Sequence, residues 1–266
     1  MDKLRIQIVN YKTKSYLLDC LTSLVVDLKS FANRYSIAIL DNASGEDLSD
    51  IPGAFPGSNI QTFQNDKNLG FGAGHNLLAG KGEAEYLLLL NPDTKIIEAD
   101  TVKRLVNSIT EFDAQVLGPR LVTHKGKTQW WDHSELHGWR ARLANSCGGS
   151  YWREHARAVE AAWISGAVSL INKQWFDELG GFDENFFLYA EEEELCLRLR
   201  QKGGRVIYDP TITMFHHGGA VAKRSEHFKK SMDYYLSKHF SHRPGYRFLR
   251  LFYNKIIPLK LLRLFD

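Results

Sequence analysis

The sequence predicts an α/β protein with a mostly parallel central sheet covered by helices. Strand-like and helix-like segments alternate through the first half of the chain, which is the pattern of a doubly wound sheet. The run EYLLLLN, residues 85–91, is so uniformly apolar that we expect a central strand covered on both faces. With 266 residues, 44% of them hydrophobic, the chain can bury one full core and carry an appendage.

The elements follow one another in a regular order. Residues 4–11 predict a strand, and residues 15–28 predict a helix because their leucines recur at helical spacing. We expect two more strands at residues 36–42 and 59–65 and a helix at residues 70–80. Asp100 is expected to cap the helix that follows. The second half predicts a strand at 163–172, a short helix at 173–181, a longer helix at 190–203 and a last strand at 205–217.

Residues 125–160 lack this alternation. They hold four of the six tryptophans among basic and polar residues, and a stretch this long in a compact domain is usually functional or mobile. We interpret it as a partly ordered acceptor-side region, and a plain surface excursion explains it equally well.

Composition limits the classes of protein. Apolar runs stay short of the roughly 18 residues that span a bilayer, and the first residues enter a strand without a signal-peptide pattern. Cys20, Cys147 and Cys196 lack CxxC spacing, which favours free thiols and the cytoplasm. A net charge of +3 does not indicate nucleic-acid binding.

The end of the chain differs from the body. Residues 234–265 contain no Asp or Glu, and basic residues alternate there with apolar ones. We therefore expect a body at residues 1–225 and an amphipathic basic helical extension at 226–266. The extension either contacts an anionic membrane surface, where each basic residue contributes about 1 kcal/mol, or packs on the body as a helix that Pro258 interrupts.

Polar and acidic residues stand where apolar runs end. These are Asp41, Asn91, Asp93, the run Glu191–Glu194 and His216. An open α/β sheet binds ligands outside the carboxyl ends of its strands, so we expect one cleft for a metal and a phosphorylated substrate.

The donor side of that cleft has two candidate segments. Asp41 can accept the imide hydrogen of a pyrimidine base with Ser44 beside it, although the segment alone is more typical of an Asx-turn. The glycine-rich run 65–76 fits neither the dinucleotide fingerprint nor Walker A. Gly70 in this run allows the backbone to approach a helix or a ligand closely, and Lys67 can reach a phosphate. A tight packing turn explains the run equally well.

The metal and the base have their own candidates. Asp93, with Asn91 helping, suits Mg²⁺ or Mn²⁺, while Asn-Pro-Asp is also typical of a turn. His216 can supply a neutral imidazole, and a structural histidine is the equal alternative. Successive helical side chains diverge by roughly 100°, so at most one or two of the glutamates enter the cleft. One of them can serve as a general base, and an ordinary acidic first turn of a helix is the alternative.

Together these segments resemble the family-two inverting glycosyltransferases with the GT-A fold, in particular the bacterial rhamnosyltransferase-like branch. The resemblance covers about residues 4 to 220 and rests on IQIVNYK, ILDNAS, NDKNLGFGAGHN, LLLLNPDT, ISGAVSLI, GGFDENFFLYAEEEELCLR and HHGG. It implies a Rossmann-like sheet flanked by helices and a metal-dependent inverting hexosyltransferase.

The resemblance also implies roles for individual residues. Asp93 becomes the principal ligand of Mg²⁺ or Mn²⁺ with His216 completing the site, and Glu192 becomes the base beside Glu191. This chain departs from the family pattern, because Glu192 stands where the family has aspartate. The candidate nucleotide-sugar-binding residues are Asn10, Asp41, Asn42, Ser44, Lys67, Asn68, Gly70, Asn91 and Asp93.

The branch favours dTDP-L-rhamnose as donor, and UDP-linked sugars stay open. The implied acceptor is a glycan or a polyprenyl-diphosphate-linked glycan in bacterial surface polysaccharide synthesis, such as O-antigen and other cell-envelope glycans. Two other classes compete. A nucleotidyltransferase is disfavoured because its glycine-rich basic loop after the first strand is replaced by Asn10-Tyr11-Lys12-Thr13. A catalytically degenerate carbohydrate-binding module gains support from Asn91 and Glu192 standing in place of the usual acids.

Overall fold

The structure is a computed structural model that describes residues 2–218 and 224–255. The second glycine of the predicted HHGG motif and residues 256–266 of the basic extension lie outside this range. The elements in chain order are β1 (Asp2–Asn10), α1 (Lys14–Leu28), β2 (Tyr35–Asp41), α2 (Ile51–Ala54), β3 (Ile60–Gln64), α3 (Phe71–Ala79), β4 (Ala84–Leu90), β5 (Thr94–Ile96), α4 (Thr101–Glu111), β6 (Val116–Val122), β7 (His133–Glu135), α5 (Trp139–Ser146), β8 (Val159–Ile164), β9 (Val168–Asn172), α6 (Lys173–Glu178), α7 (Glu191–Gln201), β10 (Val206–His216), α8 (Arg224–Phe240) and α9 (Tyr246–Lys255).

The described strands form one sheet in the order β3-β2-β1-β4-β9-β6-β10-β8-β7, with β5 beside β10. Strands β3, β2, β1 and β4 pair in parallel, as do β6 and β10. Strand β9 runs antiparallel between β4 and β6. The predicted helix-flanked, mostly parallel sheet is confirmed, and β4 is its buried centre because Leu87–Leu90 are at most 1% exposed.

The single strand predicted at 163–172 was wrong. The segment forms β8 and β9, which are separated by Ser165–Ala167. The chain breaks here because the Ala167 carbonyl accepts a hydrogen bond from Asn91 N at 2.8 Å, and because a Cβ on Gly166 would lie 2.9 Å from the Phe71 ring. The break therefore lies at the carboxyl end of β4.

The carboxylate that caps α4 comes from α1 rather than from the predicted residue. Asp100 occupies the N-cap position in a left-handed conformation, but Asp27 accepts hydrogen bonds from Thr101 N at 3.0 Å and Val102 N at 2.8 Å. A carboxylate at a helix N-terminus pairs with free N–H groups and the positive end of the dipole. Asp27 therefore joins α1 to α4 behind the sheet.

The helix α7 is joined to α8 by a buried charge cluster. Glu194 has no exposed side-chain area and contacts Arg198, Lys238 and His239 at 2.7–3.2 Å. Beside it, Leu236 and Phe240 of α8 pack in one apolar cluster with Phe186. The first part of the predicted 226–266 extension is therefore a helix packed on the body, and the boundary at residue 225 stays a prediction.

The helix α9 follows α8 and exposes Phe248 and Leu251, at 71% and 55%. Among residues 2–218 and 224–255, the structure contains no helix long and apolar enough to cross a membrane.

All three cysteines fall within those residues, and each is the free thiol that was predicted.

Residues 125–160 contain ordered elements. Strand β7 pairs with β8, and α5 follows it with Trp139 72% exposed. The base of this excursion is closed by hydrogen bonds from Glu135 N to Tyr151 O at 2.7 Å and from Asn145 Nδ2 to Glu135 O at 3.0 Å. Its acceptor-side role stays a prediction.

Candidate active site

Asp41 ends β2 beside an open polar hollow of about 400 Å³, whose walls include Glu46, Thr62 and Gln64. Its carboxylate accepts hydrogen bonds from Ser44 N at 3.3 Å and contacts the Ser44 hydroxyl. Asn10 Nδ2 lies 3.4 Å from the same carboxylate and donates to Glu46 at 3.0 Å. The predicted residues Asn10, Asp41 and Ser44 are therefore brought together at one edge of the sheet.

Asn42 holds the glycine-rich loop in place. Its amide nitrogen donates to Asn68 Oδ1 at 2.9 Å and to Gly70 O at 3.0 Å, and its oxygen accepts from Asn65 Nδ2 at 3.1 Å and from Leu69 N at 3.0 Å. Both amide hydrogens and both oxygen lone pairs are thus used by the protein. Asn42 positions the loop, and the exposed Lys67 of the same loop is available to a ligand.

Gly70 lets the loop touch the segment before α7. It adopts φ +85°, and a Cβ there would collide with the Phe187 carbonyl, which accepts a hydrogen bond from Phe71 N at 3.0 Å. A side chain is disfavoured by both the backbone conformation and the contact. The loop therefore connects the end of β2 with the start of α7.

Asp93 and His216 meet at the same edge of the sheet, as predicted. Asp93 Oδ1 lies 3.4 Å from His216 Nε2, and each residue is 7% exposed. The backbone after His216 wraps around the carboxylate, since His217 N donates to Asp93 O at 3.0 Å and Gly218 N donates to Asp93 Oδ2 at 3.2 Å. The end of β10 is thereby fixed to the turn after β4.

Gln129 fixes the tautomer of His216. Its Nε2 donates to the His216 carbonyl at 2.8 Å, so its Oε1 must be the atom that lies 2.8 Å from His216 Nδ1. An amide oxygen only accepts, so Nδ1 carries a proton and Nε2 is left to face Asp93. Gln129 is 1% exposed, and sequence reasoning missed it because only the fold brings it to the histidine.

This donor set fits a divalent ion. A carboxylate oxygen and an imidazole nitrogen face each other across 3.4 Å, and adjacent ligands of one ion with bonds of about 2.1 Å lie roughly 3 Å apart. Burial by itself raises the pKa of Asp93, but a hydrogen bond from His216 when its Nε2 is also protonated, the charge of that imidazolium and the hydrogen bond from Gly218 N hold the pKa of Asp93 below its usual value; a bound ion would take the place of the Nε2 proton. The carboxylate is therefore kept in the ionised form that a metal requires.

The predicted base Glu192 lies at the break between β8 and β9. It is half-buried, and a Cβ on Gly166 would lie 3.8 Å from its Cδ and 2.9 Å from the Phe71 ring. The next residue, Ala167, holds the half-buried Asn91 through the backbone hydrogen bond at 2.8 Å. The carboxyl group of Glu192 therefore stands at the β4 end of the sheet, with Phe71 as an apolar neighbour.

Glu191 has a different environment from its neighbour. It is 2% exposed and packs under the glycine-rich loop, where a Cβ on Gly72 would lie 3.7 Å from Glu191 Cβ. Its Oε2 has no hydrogen-bond partner among the described residues. Burial, and then the charge of Glu192, raise the pKa of Glu191 well above its ordinary value, which favours the protonated form of this carboxyl group.

Comparison with known proteins bears on this arrangement. The sequence model of Glycosyl transferase family 2 matches residues 6–180. The O-antigen biosynthesis protein RfbC of Myxococcus xanthus is 26% identical over 65% of this chain and 14% of its own. The low-salt glycan biosynthesis hexosyltransferase Agl10 of Haloferax volcanii is 24% identical over 89% of this chain and 73% of its own.

A shorter match is to the N-acetylglucosaminyl-diphospho-decaprenol L-rhamnosyltransferase of Mycobacterium tuberculosis, 38% identical over 21% of this chain and 18% of that one. The matched segments cover less than a fifth of the length of two of these relatives.

Solved structures share the architecture. A TarS fragment from S. aureus superposes with a TM-score of 0.63 at 15% identity, covering 94% of this chain and 72% of that one. GalNAc-T7 with UDP, GalNAc and Mn²⁺ superposes with a TM-score of 0.67 at 17% identity, covering 99% of this chain and 54% of that one. At these identities the likeness establishes the fold, and the predicted GT-A architecture is confirmed.

Proposed function

This chain belongs to glycosyl transferase family 2, and we propose that it moves a sugar from a nucleotide-diphosphate donor to an acceptor hydroxyl group with inversion at the anomeric carbon. The observation that carries the proposal is the meeting of Asp93 with His216, 3.4 Å apart, at the sheet edge that also holds Glu192. An inverting single displacement needs two things at one place, a site for the leaving diphosphate and a base for the acceptor.

Asp93 and His216 would hold Mg²⁺ or Mn²⁺. When bound, a divalent ion here offsets the charge that develops on the leaving diphosphate. The nitrogen ligand favours Mn²⁺, because Mg²⁺ prefers oxygen ligands throughout. Lys67 supplies a further positive charge from the glycine-rich loop, and Asn91 an amide oxygen or a water-mediated contact.

Glu192 acts as the general base. It takes the proton of the acceptor hydroxyl while the oxygen attacks the anomeric carbon from the face opposite the nucleotide. Adjacent carboxylates repel each other, and burial together with the charge of Glu192 raises the pKa of Glu191, which lessens that repulsion by favouring the protonated form. Glu191 is therefore the positioning neighbour, and Glu192 carries the negative charge that proton transfer requires.

We propose dTDP-L-rhamnose as the donor and bacterial surface polysaccharide as the product. The mycobacterial relative is named a rhamnosyltransferase and RfbC an O-antigen biosynthesis protein. Asp41 beside the hollow supplies an acceptor for the imide hydrogen of thymine or uracil. A UDP-linked sugar is the second candidate, favoured by the UDP bound in the GalNAc-T7 structure.

The proposed acceptor is a polyprenyl-diphosphate-linked glycan at the inner face of the cytoplasmic membrane. The mycobacterial relative is named for such an acceptor, and α9 exposes Phe248 and Leu251 beside the basic Arg247 and Arg250. Apolar side chains flanked by basic ones suit an anionic lipid surface.

Flotation with liposomes containing anionic lipid tests this contact, comparing the full chain with a truncation that removes residues 243–266. We expect flotation of the full chain at low salt and its loss on truncation. Equal flotation of both proteins contradicts the membrane role.

The transfer itself is tested by nucleoside-diphosphate release from a panel of dTDP- and UDP-linked sugars, with a short-chain polyprenyl-diphosphate glycan as acceptor. We expect release with dTDP-L-rhamnose and Mn²⁺, its loss with EDTA, and an inverted linkage by NMR of the product. Glu192→Gln should lower turnover about 10²–10⁴-fold.

Binding controls separate an enzyme from a binding module. Glu192→Gln should keep the thermal stabilisation given by donor and Mn²⁺, whereas Asp93→Asn should lose it. Glu111→Gln, an exposed glutamate at the end of α4, should match the wild type in both assays. Stabilisation of the wild type by donor without any release of nucleotide identifies a degenerate carbohydrate-binding module instead.

A further inference from the structure

A second cluster of metal-binding groups lies away from the Asp93 pair. His133 and Glu135 on β7 and His155 further along the chain place one ligand atom each within 4.8 Å of one another. His133 Nε2 lies 4.0 Å from Glu135 Oε1, and His155 Nε2 contacts the same oxygen. The two strand residues are at most 4% exposed, and the His155 side chain is 11% exposed.

Asp132 orients His133 toward the cluster. Asp132 Oδ1 lies 2.8 Å from His133 Nδ1. The other groups around this carboxyl group are donors, since Trp152 Nε1 donates at 2.9 Å, Tyr208 Oη at 2.8 Å and Leu121 N at 3.3 Å. The carboxyl group therefore accepts, so Nδ1 carries the proton and Nε2 presents a lone pair.

That lone pair has no protein partner. His133 is 1% exposed, and its Nε2 makes no hydrogen bond within the described residues. The ring cannot turn away, because it stacks on Tyr208 with centroids 3.8 Å apart and planes 16° apart. A buried acceptor without a partner is costly unless a cation or water occupies the space.

We propose that His133, Glu135 and His155 bind a divalent transition ion, with Zn²⁺ as the best fit and a water molecule as its fourth ligand. Two imidazoles and one carboxylate form a donor set typical of zinc, whereas Mg²⁺ and Ca²⁺ take oxygen ligands. A carboxylate that fixes a ligating histidine through its other nitrogen is the usual outer partner of such a site. Tetrahedral zinc ligands lie about 3.3 Å apart, so the 4.0 Å separation closes with small side-chain rotations.

The ion would fasten both ends of the excursion formed by residues 136–154. Glu135 precedes that excursion and His155 follows it, so one ion joins its entry and its exit. Arg153 Nε lies 3.5 Å from Glu135 Oε1 with its side chain 65% exposed, and it can swing into solvent when the ion binds. The site is separate from the catalytic pair and does not depend on the proposed transfer.

Metal content of the full chain tests the proposal. Untagged protein is stripped with EDTA, incubated with Zn²⁺ or Co²⁺, passed through a desalting column and assayed by mass spectrometry of metals. We expect about one Zn²⁺ per chain in the wild type, in Asp93→Ala and in His137→Ala. His137 is a matched control, because it is a nearby exposed histidine that pairs with Glu160.

His155→Ala and Glu135→Gln should lower zinc affinity at least about 100-fold, since loss of an outer partner alone costs 10–100-fold. Zinc should raise the melting temperature of the wild type and leave that of His155→Ala unchanged. The wild type with Co²⁺ should show the intense visible absorption of tetrahedral cobalt.

Three results would overturn the site. These are a wild type that retains no zinc, a His155→Ala protein that retains as much as the wild type, and loss of the zinc in Asp93→Ala, which would assign the ion to the catalytic pair. If a variant fails to fold, the cobalt spectrum of the wild type still tests the site, because a weak octahedral spectrum would contradict tetrahedral ligation.

Discussion

Replacing Glu194 by glutamine should destabilise the fold by about 3 kcal/mol without removing a catalytic group. Burial by itself raises the pKa of Glu194, but hydrogen bonds from His239, Arg198 and Lys238 outweigh it and lower that pKa from 4.5 to about 2. Each unit of pKa shift corresponds to about 1.36 kcal/mol, so the ionised form of Glu194 contributes about 3 kcal/mol to the free energy of unfolding. The side chain has no exposed area, so solvent does not screen this contribution.

The sign of the pH dependence follows from the lowered pKa. The stabilisation is complete above about pH 4.5, where the carboxyl group is ionised in both folded and unfolded chains, and it is lost as pH falls toward about 2. The free energy of unfolding should therefore differ between wild type and Glu194→Gln by about 3 kcal/mol at pH 7, and the gap should narrow steadily below pH 4.5.

Urea unfolding followed by tryptophan fluorescence at several pH values measures this gap. Glu111→Gln is the matched control, because Glu111 is exposed and should change stability by less than about 0.5 kcal/mol. A gap below about 1 kcal/mol at pH 7, or one that does not change with pH, would refute the assignment of Glu194 as the charged link between α7 and α8.

The other predictions concern the site. Glu192→Gln should lower kcat about 10²–10⁴-fold, while Glu191→Gln should stay within about threefold, because the raised pKa of Glu191 favours the protonated form that glutamine resembles; equal losses in a nucleotide-release assay would contradict the division of roles. Gln129→Leu should raise the Mn²⁺ concentration for half-maximal activity about 10–100-fold, and an unchanged titration would remove its positioning role. Gly70→Ala should lower the melting temperature by costing more than about 1 kcal/mol, whereas Gly53→Ala, which meets open space in the described structure, should not; equal melting temperatures would contradict the tight loop contact.

Much of the fold follows from apolar patterning. The buried strand β4 was predictable because only a strand covered on both faces carries so continuous an apolar run. The split into β8 and β9 was not, because Ser165-Gly166-Ala167 is short and looks like strand interior. It breaks there because Gly166 has to fit against Phe71, a contact between segments remote in sequence.

Part of the candidate site was also predictable from the sequence, and part was not. Residues that end strands of one sheet must approach one another, so the pairing of Asp93 with His216 was predictable. The residues that surround this pair, and those of the second cluster, were not predictable. Gln129 lies in an irregular segment, and His133, Glu135 and His155 show no spacing that sets them apart from surface residues. Helical geometry limits how many of the four glutamates enter the cleft, but only the position of the loop shows that Glu191 is covered.

The hydrogen bonds that tie the glycine-rich loop to Asn42 and to the segment before α7 limit which changes in loop length this fold can accept. Asn42 holds one side of that loop and the Phe187 carbonyl holds the other, so inserting a residue should displace the proposed nucleotide site and the proposed base Glu192 together. The span between Glu135 and His155 has no part in these loop contacts, so changes within it should leave them intact. If this span has the acceptor-side role predicted above, grafting it from a homologue should change acceptor choice without changing the reaction.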